Sequence, residues 1–193
     1  MTGFRKIAAS GPLIWRRNNR AGREPMPNKS IEPLTQGLNI LIGDSNAYMR
    51  RLTRTMLMNL GAKSVTEAGD GLAALEAIRI GDPDIVVLEW DMPVLNGMEV
   101  MRIVRSPGVF PMPDIPIIML TAHGERWRIV EAVKLGVNEF LCKPVSAKSL
   151  LDRLLSILLK PRENIQLGEY YGPVPRHPAS AKAQPEPEAA PPA

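Results

Sequence analysis

Five residues of this 193-residue chain carry groups that could do chemistry together: the carboxylates of Asp44, Glu89 and Asp91, the hydroxyl of Thr121 and the ammonium of Lys143. Each lies at or just beyond the end of a short apolar run. Three carboxylates brought close repel one another unless a cation sits among them, and Mg2+ favours such oxygen donors while keeping several waters. A lysine and a hydroxyl at the same place can hold phosphoryl oxygens. The set therefore suits Mg2+ and phosphate in kind. The plainer alternative is a surface cleft closed by one salt bridge, Lys143 to Glu89 or to Asp44.

What would position these groups is an alternation of two periods. Leu38 to Ile42 reads as a strand, ended by Gly43-Asp44-Ser45. A helix follows with Met49, Leu52, Met56, Leu57 and Leu60 on one stripe and Arg50, Arg51 and Arg54 opposite, stopped by Gly61. Ser64–Ala68 is a second strand, expected at an edge. Asp70 can cap a helix containing Leu72, Leu75 and Ile78. Ile85–Leu88 is a continuous apolar run, as in a parallel strand buried on both faces. A helix over 97–105, a proline-broken loop over 106–113 and a strand over 115–120 come next. Residues 125–135 and 146–159 read as helices on either side of a strand over 139–142; the last turns Leu150, Leu151, Leu154, Leu155 and Leu158 inward. Five βα units with short right-handed crossovers make an α/β protein, a parallel sheet with helices on both faces. Polar groups at the strand C-termini then converge on one edge, where such folds put their sites.

Composition bounds the rest. Residues 1–36 hold seven basic residues against two acidic, residues 37–160 hold 14 of each, and residues 161–193 hold three basic against four acidic. The excess positive charge sits in a basic leader, which is expected to be flexible and able to add non-specific affinity for nucleic acid. Eight of the 19 prolines fall in residues 161–193, read as a flexible Pro/Ala-rich tail. Within it, Gly168-Glu169-Tyr170-Tyr171-Gly172-Pro173 is set to pack back on the domain or to dock a partner. The expected domain is residues 37–160. No apolar run is long enough to span a membrane, and a cytoplasmic location is expected. The single cysteine, Cys142, excludes an internal disulfide and a cysteine-based zinc cluster, and burial is its default. His123 reads as an exposed loop residue, with phosphate or partner contact as its alternative. Trp90 is expected to pack beside Glu89. Trp127 is either a partner anchor or half-buried packing.

At this point the body resembles the response-regulator receiver domain of two-component signalling, of the CheY-like type. Ile40-Leu41-Ile42-Gly43-Asp44-Ser45 resembles the end of that family's first strand, where an acidic pair binds Mg2+. Ala68 to Leu75 resembles the turn and start of its second helix. Pro83-Asp84-Ile85-Val86-Val87-Leu88-Glu89-Trp90-Asp91-Met92-Pro93, with Asn96-Gly97 after it, resembles the third strand and its Met-Pro turn. Thr121-Ala122 matches the hydroxyl residue and its small neighbour, Phe140 the switch aromatic, and Lys143-Pro144 the Lys-Pro pair. The resemblance implies a doubly wound, flavodoxin-like five-stranded sheet of order 2-1-3-4-5. It assigns Thr121, Phe140 and Lys143 to phosphate contact and switching, and Asp44 and Asp91 to a remnant acidic or metal site.

Two departures qualify what the resemblance implies. Glu89 stands where the family carries its phosphoacceptor aspartate, and one acid of the pair after the first strand is missing, placed at Gly43. Glutamate carries its carboxylate one methylene, about 1.5 Å, further out, and errors near 1 Å can cost about 10²-fold in a transfer step. No cofactor is certain, and Mg2+ binding is weakened by Gly43 and Glu89. The expectation is a stand-alone, atypical receiver of the pseudo-receiver type. It would regulate a two-component or phosphorelay pathway by protein–protein interaction, without normal aspartyl phosphorylation and without enzymatic turnover. The partner would be a histidine kinase, a phosphotransfer protein or an output protein, read by a face that includes Trp127 and Phe140; homodimerisation through that face is an option. The alternatives are a working phosphoacceptor on a non-standard carboxylate, a nucleic-acid-associated protein acting through the leader, and a small-ligand module using the cleft. Sequence-specific nucleic-acid binding would need a second reader domain.

Overall fold

The computed structural model describes residues 35–122 and 124–175. The expectations for residues 1–34 of the basic leader, for His123 and for residues 176–193 lie outside the described residues.

Among the described residues the elements follow in order: β1 (Asn39–Gly43), α1 (Ala47–Asn59), β2 (Ser64–Ala68), α2 (Gly71–Gly81), β3 (Ile85–Glu89), α3 (Gly97–Val104), β4 (Ile117–Thr121), α4 (Arg126–Lys134), β5 (Glu139–Cys142), α5 (Ala147–Leu159), β6 (Asn164–Leu167) and β7 (Tyr170–Pro173). The first five strands form one parallel sheet of order β2-β1-β3-β4-β5. This is the doubly wound, flavodoxin-like arrangement expected, and β2 lies at an edge.

The strands alternate residues between two apolar layers, as period-two side chains must. Leu41, Val86, Leu88, Ile117 and Met119 face α2, α3 and the neighbourhood of α4, packing with Ala74, Ile78, Val100, Met101, Val104 and Ala132. Ile40, Ile42, Ile85, Val87, Ile118 and Leu120 face the other way, onto Leu57 of α1 and Leu150 and Leu154 of α5. All of β3 and β4 is buried, which is why both read as unbroken apolar runs.

Side chains cap the starts of α1, α2, α3 and α5, whereas Glu125 makes no side-chain cap bond at α4. Asn46 caps α1 by accepting from the backbone of Tyr48 and Met49. Asp70 caps α2 through Ala73 N at 2.7 Å, as its position predicts. Asn96 and Glu99 form a reciprocal capping box at α3. Gly97 also lets α3 press against the end of β3: a Cβ there would lie 2.4 Å from the carbonyl oxygen of Glu89. Gly97→Ala is expected to lower stability by about 1–3 kcal/mol through overpacking, checked by the midpoint of urea unfolding.

Three expectations are corrected. The inward stripe of α1 runs through Thr53 and Leu57, whereas Leu52 is exposed. Arg50 does not stand open with Arg51 and Arg54 opposite the stripe: it donates to the Asp44 carbonyl at 2.7 Å and ion-pairs with Glu67 of β2 at 3.4 Å. Cys142 is exposed, because the last residue of β5 alternates outward.

Regular structure continues past residue 160. Beyond α5 the chain forms an antiparallel hairpin, β6 with β7, around a two-residue turn with Gly168 at φ +59°. The hairpin packs at the N-terminal ends of β4 and β5, the pole opposite the strand C-termini. Tyr171 is buried there and donates to Asp114, which also accepts from the Asn164 amide at 2.7 Å. Arg162 donates to the carbonyls of Asn138 and Val174. Gly172 and Gly136 meet backbone to backbone; a Cβ on Gly172 would lie 2.5 Å from the Gly136 Cα. Beneath the hairpin, buried Arg105 spends its guanidinium on Gly136 O, Pro113 O and Asn138 Oδ1. Burial pushes Arg105 down to about 10, with Asp114 the chief opposing charge, so it remains a cation at neutral pH. Two tyrosines between glycines thus pack back on the domain.

Candidate functional site

Residues at the C-terminal ends of the parallel strands build the site. Gly43 pairs with Leu88, and Glu89 with Leu120, so Asp44 and Glu89 leave the sheet side by side. Lys143 follows β5, its backbone N–H donating to Thr121 O at 2.7 Å across the end of β4, and its peptide bond to Pro144 is cis.

Lys143 reaches both acids. Its Nζ donates to Asp44 Oδ2 at 2.7 Å and to Glu89 Oε1. The other Glu89 oxygen accepts from the backbone N–H and the hydroxyl of Ser45, each at 3.1 Å. The other Asp44 oxygen accepts from Asn46 N at 2.8 Å. All three side chains are largely buried: 13% of Lys143, 1% of Asp44 and 10% of Glu89 is exposed. At this depth desolvation offsets much of the attraction of an ion pair, but removing one member is costly because it strands the other charge.

Burial works to lower the Lys143 ammonium, but hydrogen bonds and charge from Asp44 and Glu89 outweigh it and hold the group above its ordinary 10.5. The sign of the linkage follows. Stability from this ammonium is fully present below pH 10.5 and is lost as pH rises through its higher folded value. Burial and Asp114 raise the Tyr171 phenol, which acts in the same direction, whereas Arg105 opposes. The expected outcome is a Lys143 side-chain titration with its midpoint above 10.5, read by NMR at the carbon next to Nζ.

Not every residue expected here joins the pair. Asp91 turns away and accepts from Arg128 of α4 at 3.0 Å. Arg128 packs against two indoles, 5.2 Å from the ring centre of Trp90 and 5.1 Å from that of Trp127. The two indoles stand edge to face at 6.1 Å. Trp90 is buried, as expected beside Glu89, while Trp127 is 56% exposed. Thr121 is fully buried at the end of β4. Phe140 is half-buried and packs against the layer that contains Met119.

Position 43 lies elsewhere than the sequence placed it. A Cβ on Gly43 would meet Leu88 Cδ1 at 2.8 Å, Ala74 Cβ at 3.5 Å and Met92 Sδ at 3.5 Å, so this position looks into the apolar layer. The residue beside Glu89 is Ser45, whose hydroxyl also reaches toward the Asp91 carbonyl at 3.5 Å. A further acid beside Asp44 and Glu89 would therefore have to stand at position 45, where this chain has a serine. Sequence reasoning quoted Ser45 without assigning it a role, and it missed Arg128. The signals were present: a hydroxyl directly after Asp44, and an arginine next to an exposed tryptophan.

The donor set suits Mg2+ poorly. Both Glu89 oxygens and both Asp44 oxygens already accept from the protein, and Ser45 offers a neutral hydroxyl. Among the described residues no group of three or more His, Cys, Asp or Glu side chains is placed to hold a metal ion.

The fold and this edge match a known class. The response regulator receiver domain aligns with residues 40–155, and the chain belongs to that family. The chemotaxis protein CheY-3 of Vibrio cholerae is 36% identical over 121 residues, 63% of this chain and 92% of that protein. Chemotaxis protein CheY of Pseudomonas aeruginosa is 35% identical over 120 residues, 62% of this chain and 95% of its own length. Among solved structures, the receiver domain of the Francisella response regulator 1452 superposes with a TM-score of 0.57 at 29% identity, covering 64% of this chain and 98% of that one. The receiver domain of a Pseudomonas aeruginosa sensor histidine kinase superposes at 0.58 with 27% identity, covering 64% and 99%; it was solved with magnesium in its active-site cleft. Family membership supports a role in two-component signalling. No helix among the described residues is long and apolar enough to cross a membrane.

Proposed function

We propose that the chain is a pseudo-receiver: a receiver domain that acts through protein–protein recognition, with its conformation set without aspartyl phosphorylation. The observation that carries this reading is the closed network at the strand ends. Glu89 stands where the family's phosphoacceptor aspartate would be. One of its oxygens is bound to Lys143 and the other to Ser45, and Asp44 shares the same ammonium. A phosphoryl donor would have to displace Lys143 from a carboxylate displaced by a methylene, without the second acid that would help hold a metal. Glu89 supplies one negative charge and two oxygens, so it imitates a phosphorylated carboxylate only in part.

On this reading the domain performs no turnover of its own. Its partner is a histidine kinase, a phosphotransfer protein or an output protein of a phosphorelay, or a second copy of the chain. The partner reads α4, β5 and α5, where Trp127 offers an exposed aromatic anchor and Phe140 lies half-buried.

The test is an amide NMR titration of the full chain with Mg2+ and then with beryllofluoride, a phosphoryl mimic. The double variant Ser45→Asp, Glu89→Asp serves as the responsive control. The expected result is no site-localised shift in the wild type and shifts around Thr121, Phe140 and Lys143 in the variant. Shifts at those residues in the wild type would establish a working phosphoacceptor site and overturn the proposal.

A further inference from the structure

Helix α4 is held in an unusual way. Of its nine residues only Ala132 is buried, while Trp127, Ile129 and Val130 are exposed. A helix this short, with so little apolar burial, is not stabilised by its own backbone or by the core alone. Two other attachments are present, one at each end.

At the N-terminal end, Arg128 packs against both Trp90 and Trp127, donates to Asp91 and ion-pairs with Glu125 at 3.2 Å. Trp90 and Asp91 directly follow Glu89, and Trp90 N donates to Leu120 O at 2.8 Å. The clamp therefore ties α4 to the loop that leaves the site.

At the C-terminal end, the helix runs out at Leu135 into Gly136, at φ +81°. Here the β6–β7 hairpin bears on the chain. A Cβ on Gly136 would lie 2.5 Å from Tyr171 O. Arg162 donates to Asn138 O, and Arg105 donates to Gly136 O at 3.0 Å.

From this geometry we infer that α4 is a strapped helix, its position set by two detachable attachments, the Arg128 clamp and the C-terminal hairpin. Loosening either one frees the adjacent end of α4 while the sheet stays folded. Trp127 belongs to the clamp and is also the exposed indole of the face described above. A partner that drew Trp127 away from Arg128 would therefore loosen the hold of α4 on the loop after Glu89. That last link rests on the proposed function; the strapping itself does not.

Amide hydrogen exchange on the full chain tests the inference. In Arg128→Ala, amides 130–134 are expected to exchange about tenfold faster or more, while those of β1, β3 and β4 keep wild-type protection. Arg128→Lys keeps the charge near Asp91 but loses the guanidinium contact with the two indoles, and should fall between the two. Gly172→Ala, which forces the hairpin off Gly136, should speed exchange over 133–138 with the same sparing of the sheet. If that variant does not fold, Arg162→Ala tests the same end. Wild-type exchange of α4 in both the Arg128→Ala and the hairpin variants would overturn the inference. So would equal loosening of every element, because α4 would then be an ordinary part of the core. A response of the wild-type site to beryllofluoride would leave these rates untouched, so the two proposals fail separately.

Discussion

Lys143→Met lowers the unfolding free energy by about 3–5 kcal/mol at neutral pH, the cost of leaving buried carboxylates without their counter-ion. The magnitude follows from depth. Asp44 is almost wholly enclosed and Glu89 nearly so, and the same ammonium serves both. Methionine keeps the length of the stem and removes only the charge, so packing loss contributes little. The combined change Lys143→Met, Glu89→Gln should recover part of the loss, since it removes one of the two stranded charges. Urea unfolding at pH 7 measures both effects. A deficit below about 1 kcal/mol, typical of exposed pairs, would mean that the network is solvated and does not lock the site.

Gly43→Asp and Ser45→Asp are neighbouring substitutions with opposite expected results. An aspartate at 43 drives its carboxylate into Leu88, Ala74 and Met92, with a first contact already at 2.8 Å from the Cβ. The loss should be about 3–5 kcal/mol, as for other buried charges left without a partner. An aspartate at 45 has an exposed position in the loop between β1 and α1, but it loses the hydroxyl bond to Glu89 and sets a like charge beside it, so without a cation it should cost about 1–2 kcal/mol, less than Gly43→Asp. It adds a third carboxylate beside Asp44 and Glu89, so Mg2+ should raise its unfolding midpoint while leaving that of the wild type unchanged. Thermal unfolding of the two variants with and without Mg2+ separates them. A well-folded Gly43→Asp protein that gains stability from Mg2+ would return the missing acid to position 43.

The parallel sheet was legible because β1, β3 and β4 are buried on both faces and so appear as uninterrupted apolar runs between turn residues. Helix starts were legible where a side chain caps them, as Asp70 does. The stripe of α1 was misplaced by one apolar residue, because Thr53 takes an inward position and leaves Leu52 outside; a buried threonine carries no hydrophobic signal. At the site, residue types identified Asp44, Glu89 and Lys143 as a group. Which neighbour stood beside Glu89 depended on the direction of one Cβ at the end of β1, and a one-residue step changes the face completely. The hairpin after α5 was hidden by its composition. Its strands are four residues each and one ends in proline, and its stability comes from Asp114, Gly136 and Asn138, which lie far away in sequence.

That hairpin carries the backbone past the stretch that defines the family while keeping it at the pole of the strand N-termini, where α5 ends. Val174 is tied there, its amide to Glu163 and its carbonyl to Arg162. The chain therefore passes Pro175 on the side away from the Glu89–Lys143 edge, with the length of the strands between them. A fluorophore or affinity tag attached after Pro175 would leave that edge unobstructed. A cut at residue 160, although outside the family alignment, would strip the cover from Arg105 and leave a buried cation facing water.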